Sequence, residues 1–301
     1  MKDKIRTLTP EDKEAVWKLY HSTKSTNGNV VFWFPNYELS TDPSSYGFFR
    51  NGELIGKGQV QLINKADEEN NYHAIYINIK VSPNWDEDVE IKNALYKKVY
   101  EKALHIKEGL SAKYKTRLCV GNFSTERWNN VFFEKRNFIY FSSQFLMKRD
   151  IRDELFIPTT DSNIDIRYWK MEGQVEEQLY LKADKEIWPH ASLLPERLKE
   201  YKSYPLWTAI TAFKNNDIVG SVMAWKEQEG EGVLEDLFVR EANRGKGIAK
   251  SLIMKGLNYL KNNGLTTACL EVLTENETAL SLYKACGFEV DNEEVRYYIE
   301  I

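Results

Sequence analysis

The groups in this chain best placed to do chemistry together lie in one stretch. Leu234-Glu235-Asp236-Leu237-Phe238-Val239 is followed four residues later by Arg244-Gly245-Lys246-Gly247-Ile248-Ala249. The first run reads as a strand carrying two adjacent carboxylates. The second reads as a turn entering a helix, with two glycines and two cations at the join. A helix N-terminus presents unpaired backbone N–H groups and about half a unit of positive charge. Glycines let the backbone close on an anion, and Arg244 and Lys246 add formal charge. The spacing therefore predicts a pyrophosphate cradle made by the N–H groups of Gly245, Lys246, Gly247, Ile248 and Ala249. Alternation along the strand puts Glu235, Leu237 and Val239 on one face and Asp236 on the other, unless a bulge alters the parity.

These groups sit in the second of two halves that resemble each other. Phe48-Phe49-Arg50-Asn51-Gly52-Glu53-Leu54-Ile55-Gly56 matches Ala212-Phe213-Lys214-Asn215-Asn216-Asp217-Ile218-Val219-Gly220, and each reads as a β-hairpin. In each half a further strand follows (74–81; 233–239), then an amphipathic helix (91–106; 248–261). A buried-type strand comes next (116–120; 267–272), and then a second helix. Those helices end in Phe133-Glu134-Lys135-Arg136-Asn137-Phe138 and Tyr283-Lys284-Ala285-Cys286-Gly287-Phe288. Four elements recur in the same order, so the chain reads as a duplication of a mixed α/β unit. The expected division is 1–150, a linker at 151–163 marked by Pro158, and 164–301.

Composition narrows the function classes. With 301 residues and 42% hydrophobic content the chain can build two cores. Its apolar runs fall short of the roughly 20 residues that a membrane helix needs, and the charged N-terminus lacks the apolar run of a secretory signal. Three scattered cysteines, Cys119, Cys269 and Cys286, suit neither zinc nor a disulfide framework, and a reducing cytoplasm is the expected location. No metal is expected. Residues 1–163 carry 24 basic against 22 acidic side chains, and the remainder 17 against 23, so neither half is a basic nucleic-acid surface.

With the downstream run Asn276-x-x-Ala279-x-x-Leu282-Tyr283-x-x-x-Gly287-Phe288, the second half resembles the GNAT superfamily of acetyl-CoA-dependent N-acetyltransferases. The family's cradle pattern falls on Arg244, Gly247 and Ala249. The resemblance covers about residues 164–301. It implies an α/β (α+β) fold of two tandem GNAT-like domains, each a central mixed, mostly antiparallel sheet flanked by helices. It also implies that the backbone of Leu237, Phe238 and Val239 pairs with the pantetheine arm of acetyl-CoA, that Asn276 reaches that arm, and that Tyr283 is the general acid for the leaving thiolate.

A lysine-like amine has a pKa of about 10.4, so roughly one in two thousand is neutral at pH 7, and freeing it costs about 4–5 kcal/mol. A carboxylate, directly or through water, can take that proton. Leu234-Glu235-Asp236-x-Phe238-Val239 resembles the spermidine/spermine N-acetyltransferases, which makes Glu235 the base candidate and Asp236 an amine-binding candidate. The Glu-Asp pair is widespread in GNAT sequences, so polyamine specificity does not follow.

The first half lacks each of these features. Glu87-Asp88-Val89-Glu90 stands where Arg244 to Gly247 stand, Ile77 replaces Glu235, Phe133 replaces Tyr283, Glu126 replaces Asn276, and Asn137 replaces Gly287. This half reads as a GNAT-like domain without acetyl-CoA binding, either structural or one wall of the acceptor site. His190, in Trp188-Pro189-His190, falls where GNAT substrate loops lie and is a substrate-binding candidate, although lone surface histidines are commoner. Phe32, Trp33 and Phe34 read as core aromatics and Cys286 as a packed thiol.

The reading is acetyl transfer from acetyl-CoA to a primary amine of a small molecule or peptide, by direct attack. The alternative is an acyl-CoA-binding sensor or assembly module. A tandem GNAT that uses aminoacyl-tRNA would lack the cradle. The sequence sets no oligomeric state and leaves room for a homodimer.

Overall fold

A computed structural model describes residues 3–27, 30–35, 44–68, 71–189, 192–227 and 230–301. They form two compact units, 1–144 with 292–301, and 145–291.

The first unit contains β1 (Asp3–Thr7), α1 (Lys13–Asn27), β2 (Ser45–Arg50), β3 (Glu53–Asn64), β4 (Tyr72–Val81), α2 (Val89–Glu108), β5 (Lys115–Phe123) and α3 (Arg127–Glu134). It also takes the start of β6 (Ile139–Asp150), whose residues from Phe145 onward belong to the second unit. The second unit continues with β7 (Asp165–Trp169), α4 (Gln174–Ile187), α5 (Pro195–Ser203), β8 (Thr208–Lys214), β9 (Asp217–Lys226), β10 (Gly232–Val239), α6 (Ile248–Asn262), β11 (Thr267–Leu273) and α7 (Glu277–Ala285). The last strand, β12 (Glu289–Glu300), begins there, but its residues from Asn292 belong to the first unit.

Two sets of six neighbouring strands repeat one topology, β1-β2-β3-β4-β5-β12 and β7-β8-β9-β10-β11-β6. Within each, the hairpin strands are antiparallel, and one parallel pair follows, β4 with β5 and β10 with β11. Both hairpins turn on two left-handed residues, Asn51 and Gly52 in one, Asn215 and Asn216 in the other. Such turns match the twist of paired strands. Even the register shift repeats, between Phe48 and Phe49 and again between Ala212 and Phe213. The mixed, mostly antiparallel sheet expected for each half is therefore present.

The end of the chain departs from a simple division at the linker. Glu294 to Glu300 pair antiparallel with Phe123 to Arg117 on β5, and Tyr297, Ile299 and Ile301 pack on the first unit's core of Ile75, Ile77, Leu95, Val99 and Leu118. Residues 151–163 carry no helix or strand. They run over α6, where Ser251 Oγ donates to the Pro158 carbonyl at 3.0 Å and Lys261 Nζ to the Asp153 carbonyl at 2.7 Å.

The second unit has an apolar core on each side of its sheet. One contains Leu234, Leu252, Ile253, Leu257 and Leu270, with α6 against it; the other contains Tyr180, Tyr201, Trp225, Val233 and Phe238, with α4 and α5. The sheet is thus held from both sides, which fixes the strand that carries the carboxylates.

Candidate active site

β10 changes course at its carboxylates. It pairs with β9 from Gly232↔Lys226 to Glu235↔Met223, and then resumes at Phe238↔Ser221. Asp236 and Leu237 together oppose Val222, and Asp236 takes the left-handed conformation at φ 54°. This is a β-bulge, and it inverts the alternation expected from the sequence. Leu237 and Val239 pack on the α6 core, as Leu234 does, while Phe238 joins Val233 in the α4/α5 core. Glu235 therefore does not share a face with Leu237 and Val239. It lies on the α4/α5 side together with Asp236, whose Oδ2 accepts the Tyr180 hydroxyl at 2.5 Å.

The same strand parts from its other neighbour. β10 and β11 pair only at Gly232↔Ala268 and Val233↔Cys269. Beyond this point they diverge around a cleft of about 890 Å³. Glu235, Asp236, Leu237, Phe238 and Val239 form one wall, and Glu271, Val272 and Leu273 of β11 another. Arg244, Gly245, Gly247, Ile248 and Ala249 close one side, and Asn276 and Tyr283 of α7 line it as well.

The cradle has the backbone an anion site requires. Gly245 and Gly247 both stand at φ +74°, a conformation that costs other residues about 1–2 kcal/mol. Gly247 is the N-cap of α6 and has no side chain to satisfy the helix's first N–H groups. No acidic side chain lies in that first turn, so the positive end of the helix is left for an anion. Arg244 is exposed on the wall, with its Nε donating to the Val239 carbonyl at 3.1 Å. Lys246 is not among the lining residues, and its ammonium donates to the Ala242 carbonyl at 2.9 Å. Asn276 caps α7, its Oδ1 accepting the Ala279 N–H at 3.1 Å, so the amide nitrogen is the atom left to reach the cleft.

At the far end a small cavity of about 30 Å³ touches Glu235, Asp236, Glu271 and Tyr283. That is room for one water with polar partners on several sides. Burial raises the Glu235 carboxyl to about 7, with repulsion from Glu271 and then Asp236 adding to it and Arg197 of α5 opposing. Burial likewise holds the Tyr283 hydroxyl well above the ordinary phenol range, and the Glu235 charge reinforces this. The carboxyl can therefore change protonation near neutral pH while the phenol keeps its proton. His190 lies outside the described residues. Trp188, two residues before it, lines the cleft. Sequence reading missed Glu271, Tyr180 and Asp184. The last two stand four apart on α4, a spacing that marks a common helix face without saying what it meets.

The corresponding places in the first unit are filled. Asp88 caps α2, its carboxylate accepting the N–H groups of Glu90 and Ile91 at 3.0 and 3.3 Å, so the helix end that could hold an anion already holds one. Glu126, at the start of α3, forms a buried ion pair with Lys80 and accepts the N–H groups of Val31 and Phe123, each at 3.0 Å. Ile77 and Phe133 are wholly buried in the core.

Residues 174–288, which include the bulged strand, the cradle and α7, match the model of the acetyltransferase (GNAT) family. The chain carries a GNAT acetyltransferase domain. That family uses acetyl-CoA as cosubstrate, and the glycine backbone and open helix end fit the diphosphate of such a molecule. Among curated relatives, the mycothiol acetyltransferase of Streptomyces avermitilis is 38% identical over 73 residues, 24% of each chain. That of Acidimicrobium ferrooxidans is 28% identical over 128 residues, 42% of this chain and 37% of the other. The chain thus spans less than half the length of these relatives. A GCN5-related N-acetyltransferase from Sphaerobacter thermophilus superposes with a TM-score of 0.81 at 18% identity, over 99% of this chain and 95% of that one. A tandem GNAT protein from the clavulanic acid biosynthesis pathway gives 0.74 at 12%, over 99% and 98%. These likenesses extend the GNAT fold to the whole chain. Among the described residues no helix is long and apolar enough to cross a membrane, and no group of three or more His, Cys, Asp or Glu side chains is placed to hold a metal.

Proposed function

We propose that the second unit transfers an acetyl group from acetyl-CoA to a primary amine by direct attack. The observation that carries this reading is that one cleft is lined by the open N-terminus of α6, by Glu235 and by Tyr283. Acetyl-CoA supplies the thioester carbonyl. Gly245 to Ala249 and Arg244 bind its diphosphate, and the backbone of Leu237 to Val239 together with Asn276 hold the arm. Glu235 takes the proton from the amine, directly or through a water in the small cavity. The nitrogen then bonds to the carbonyl carbon, and the carbon–sulfur bond breaks. Tyr283 gives its proton to the departing sulfur and is reprotonated by the second proton, which the acylated nitrogen sheds, so amide and thiol leave neutral while Glu235 returns the first proton to solvent. Holding the two reactants together supplies most of the acceleration.

The first unit, with its helix end and its Asn276 position filled from within, is proposed to bind no acetyl-CoA. Calorimetric titration with acetyl-CoA, followed by thiol release with a panel of polyamines, amino sugars and amino acids, tests both statements. One site per chain is expected, abolished by Arg244→Glu, with turnover lost in Tyr283→Phe. Tight binding by Arg244→Glu would remove the cradle assignment. Binding without turnover on any amine would make the domain an acyl-CoA-binding module.

A further inference from the structure

Behind Asp236 lies a second carboxyl that the reaction as described does not use. Asp184 of α4 is 1% exposed, and its Oδ2 accepts the Leu193 N–H at 2.6 Å. Its Oδ1 is buried, and among the described residues no N–H or O–H donor reaches it. The Asp236 side chain is in hydrogen-bonding contact with Asp184. Ionised carboxylates only accept, so two of them in such contact require a proton between them. One turn before Asp184, the wholly buried Tyr180 donates its hydroxyl to Asp236 Oδ2 at 2.5 Å. Behind Tyr180 stand the Ser221 hydroxyl of β9 and, 2.8 Å from it, that of Thr211.

We propose that Asp184 is a positioning residue whose carboxyl shares one proton with Asp236, fixing Asp236 on the α4 face and leaving Glu235 as the group that ionises freely at the reacting end. Its catalytic meaning rests on the acetyl-transfer reading; the shared proton does not. The groups facing the pair are Tyr180 from α4, Glu235 from β10 and Tyr201 from α5. Arg197 of α5 acts on Glu235 and on Tyr201 and not on the pair itself, so two negative charges there have no cation to offset them. Burial pushes both carboxyls upward, in keeping with one retained proton. The pair thus keeps its shared proton below neutrality and titrates as a unit. The proton also ties together three elements: the bulge of β10, helix α4, and the chain at Leu193 that leads into α5, which carries Arg197 toward Glu235.

The test is a carbon-13 NMR titration of the full chain with labelled aspartate carboxyls, from pH 4 to 9, without substrates. The wild type should show the Asp184 and Asp236 signals moving together in a step near neutrality. In Asp184→Asn the asparagine donates instead, so that joint step should vanish and Asp236 should titrate alone at least tenfold more acidically. Tyr180→Phe removes a donor to the carboxylate and should move the joint step upward. A merely structural role would lower the melting temperature of Asp184→Asn yet leave the near-neutral titration of Asp236 in place, and that result overturns the proposal. So does independent titration of the two wild-type signals at ordinary carboxylate values, which decides the matter even if Asp184→Asn fails to fold. Failure of the acetyl-transfer reading would appear instead as absent acetyl-CoA binding with the joint step intact.

Discussion

Glu235 and Asp236, neighbours in the chain, put their carboxyls on the same side of the sheet because the bulge between Glu235 and Phe238 inserts a residue. In a regular strand they would point to opposite cores. The bulge therefore gathers two acidic groups at one end of the cleft, and a left-handed Asp236 is part of how it does so.

That conformation makes a specific demand on residue 236. Asparagine tolerates left-handed backbone and can still accept from Tyr180, whereas a β-branched residue tolerates neither the angle nor the loss of the acceptor. Asp236→Val should destabilise the protein by about 2–4 kcal/mol, and Asp236→Asn by less than about 1 kcal/mol. Urea denaturation of the full chain separates the two. Equal losses would mean that the backbone angle and the Tyr180 bond contribute little.

The Glu235 carboxyl, raised to about 7, ties both rate and stability to pH. As a base it works when ionised, so kcat/KM for an amine should rise as pH passes through about 7, and Glu235→Gln should remove that inflection and lower the rate by roughly 10²-fold or more. For stability the sign is the reverse. Between the unfolded value near 4.5 and the folded value of about 7, the folded chain keeps a proton the unfolded chain has lost, so stability falls as pH rises across that window. Glu235→Gln should match the wild type at pH 4 and exceed it by up to about 3 kcal/mol at pH 8. Melting curves at the two pH values check this.

Local signals made much of this legible in sequence. The hairpin turns at Asn51-Gly52 and Asn215-Asn216, the helical period of α6 and the glycines at its start all depend on residues close in the chain, and all stand where the pattern puts them. What the pattern hides is partnership. A strand's alternation reports its two faces and not its neighbour, so nothing in residues 292–301 says that they pair with β5. The bulge is hidden for the same reason, since Leu-Glu-Asp-Leu-Phe-Val alternates plausibly without it. Asp184 reads as an ordinary acidic residue on an amphipathic helix until the fold brings Asp236 to it.

Gly247 offers a direct measure of the cradle. A Cβ at this position would meet nothing within 4 Å, so the cost of Gly247→Ala is conformational and not steric. Holding alanine at φ +74° costs about 1 kcal/mol or more, and relaxing it turns the first N–H groups of α6 away from the anion. Acetyl-CoA affinity should fall by roughly fivefold or more. Calorimetry on the full chain measures it, with Gly230→Ala as a control for the same angle away from the cleft (φ +88°, also without a neighbour). A tighter complex in Gly247→Ala would place the diphosphate elsewhere.

The Lys80–Glu126 pair in the first unit should behave as a structural element and not as a site. Both side chains are almost wholly buried, and Glu126 also accepts the N–H groups of Val31 and Phe123. Removing one partner leaves an uncompensated charge in a low-dielectric interior, which typically costs about 3–5 kcal/mol. Lys80→Met should therefore destabilise strongly. Adding Glu126→Gln keeps the carbonyl oxygen for Val31 and Phe123 while removing the stranded charge, so the double variant should regain more than half of the loss. Chemical denaturation of the two single variants and the double variant closes the cycle. Acetyl-CoA affinity should remain unchanged throughout, because the cleft proposed to bind it is lined by the second unit's residues. A fall in affinity along with stability would mean that the first unit takes part in holding the cosubstrate.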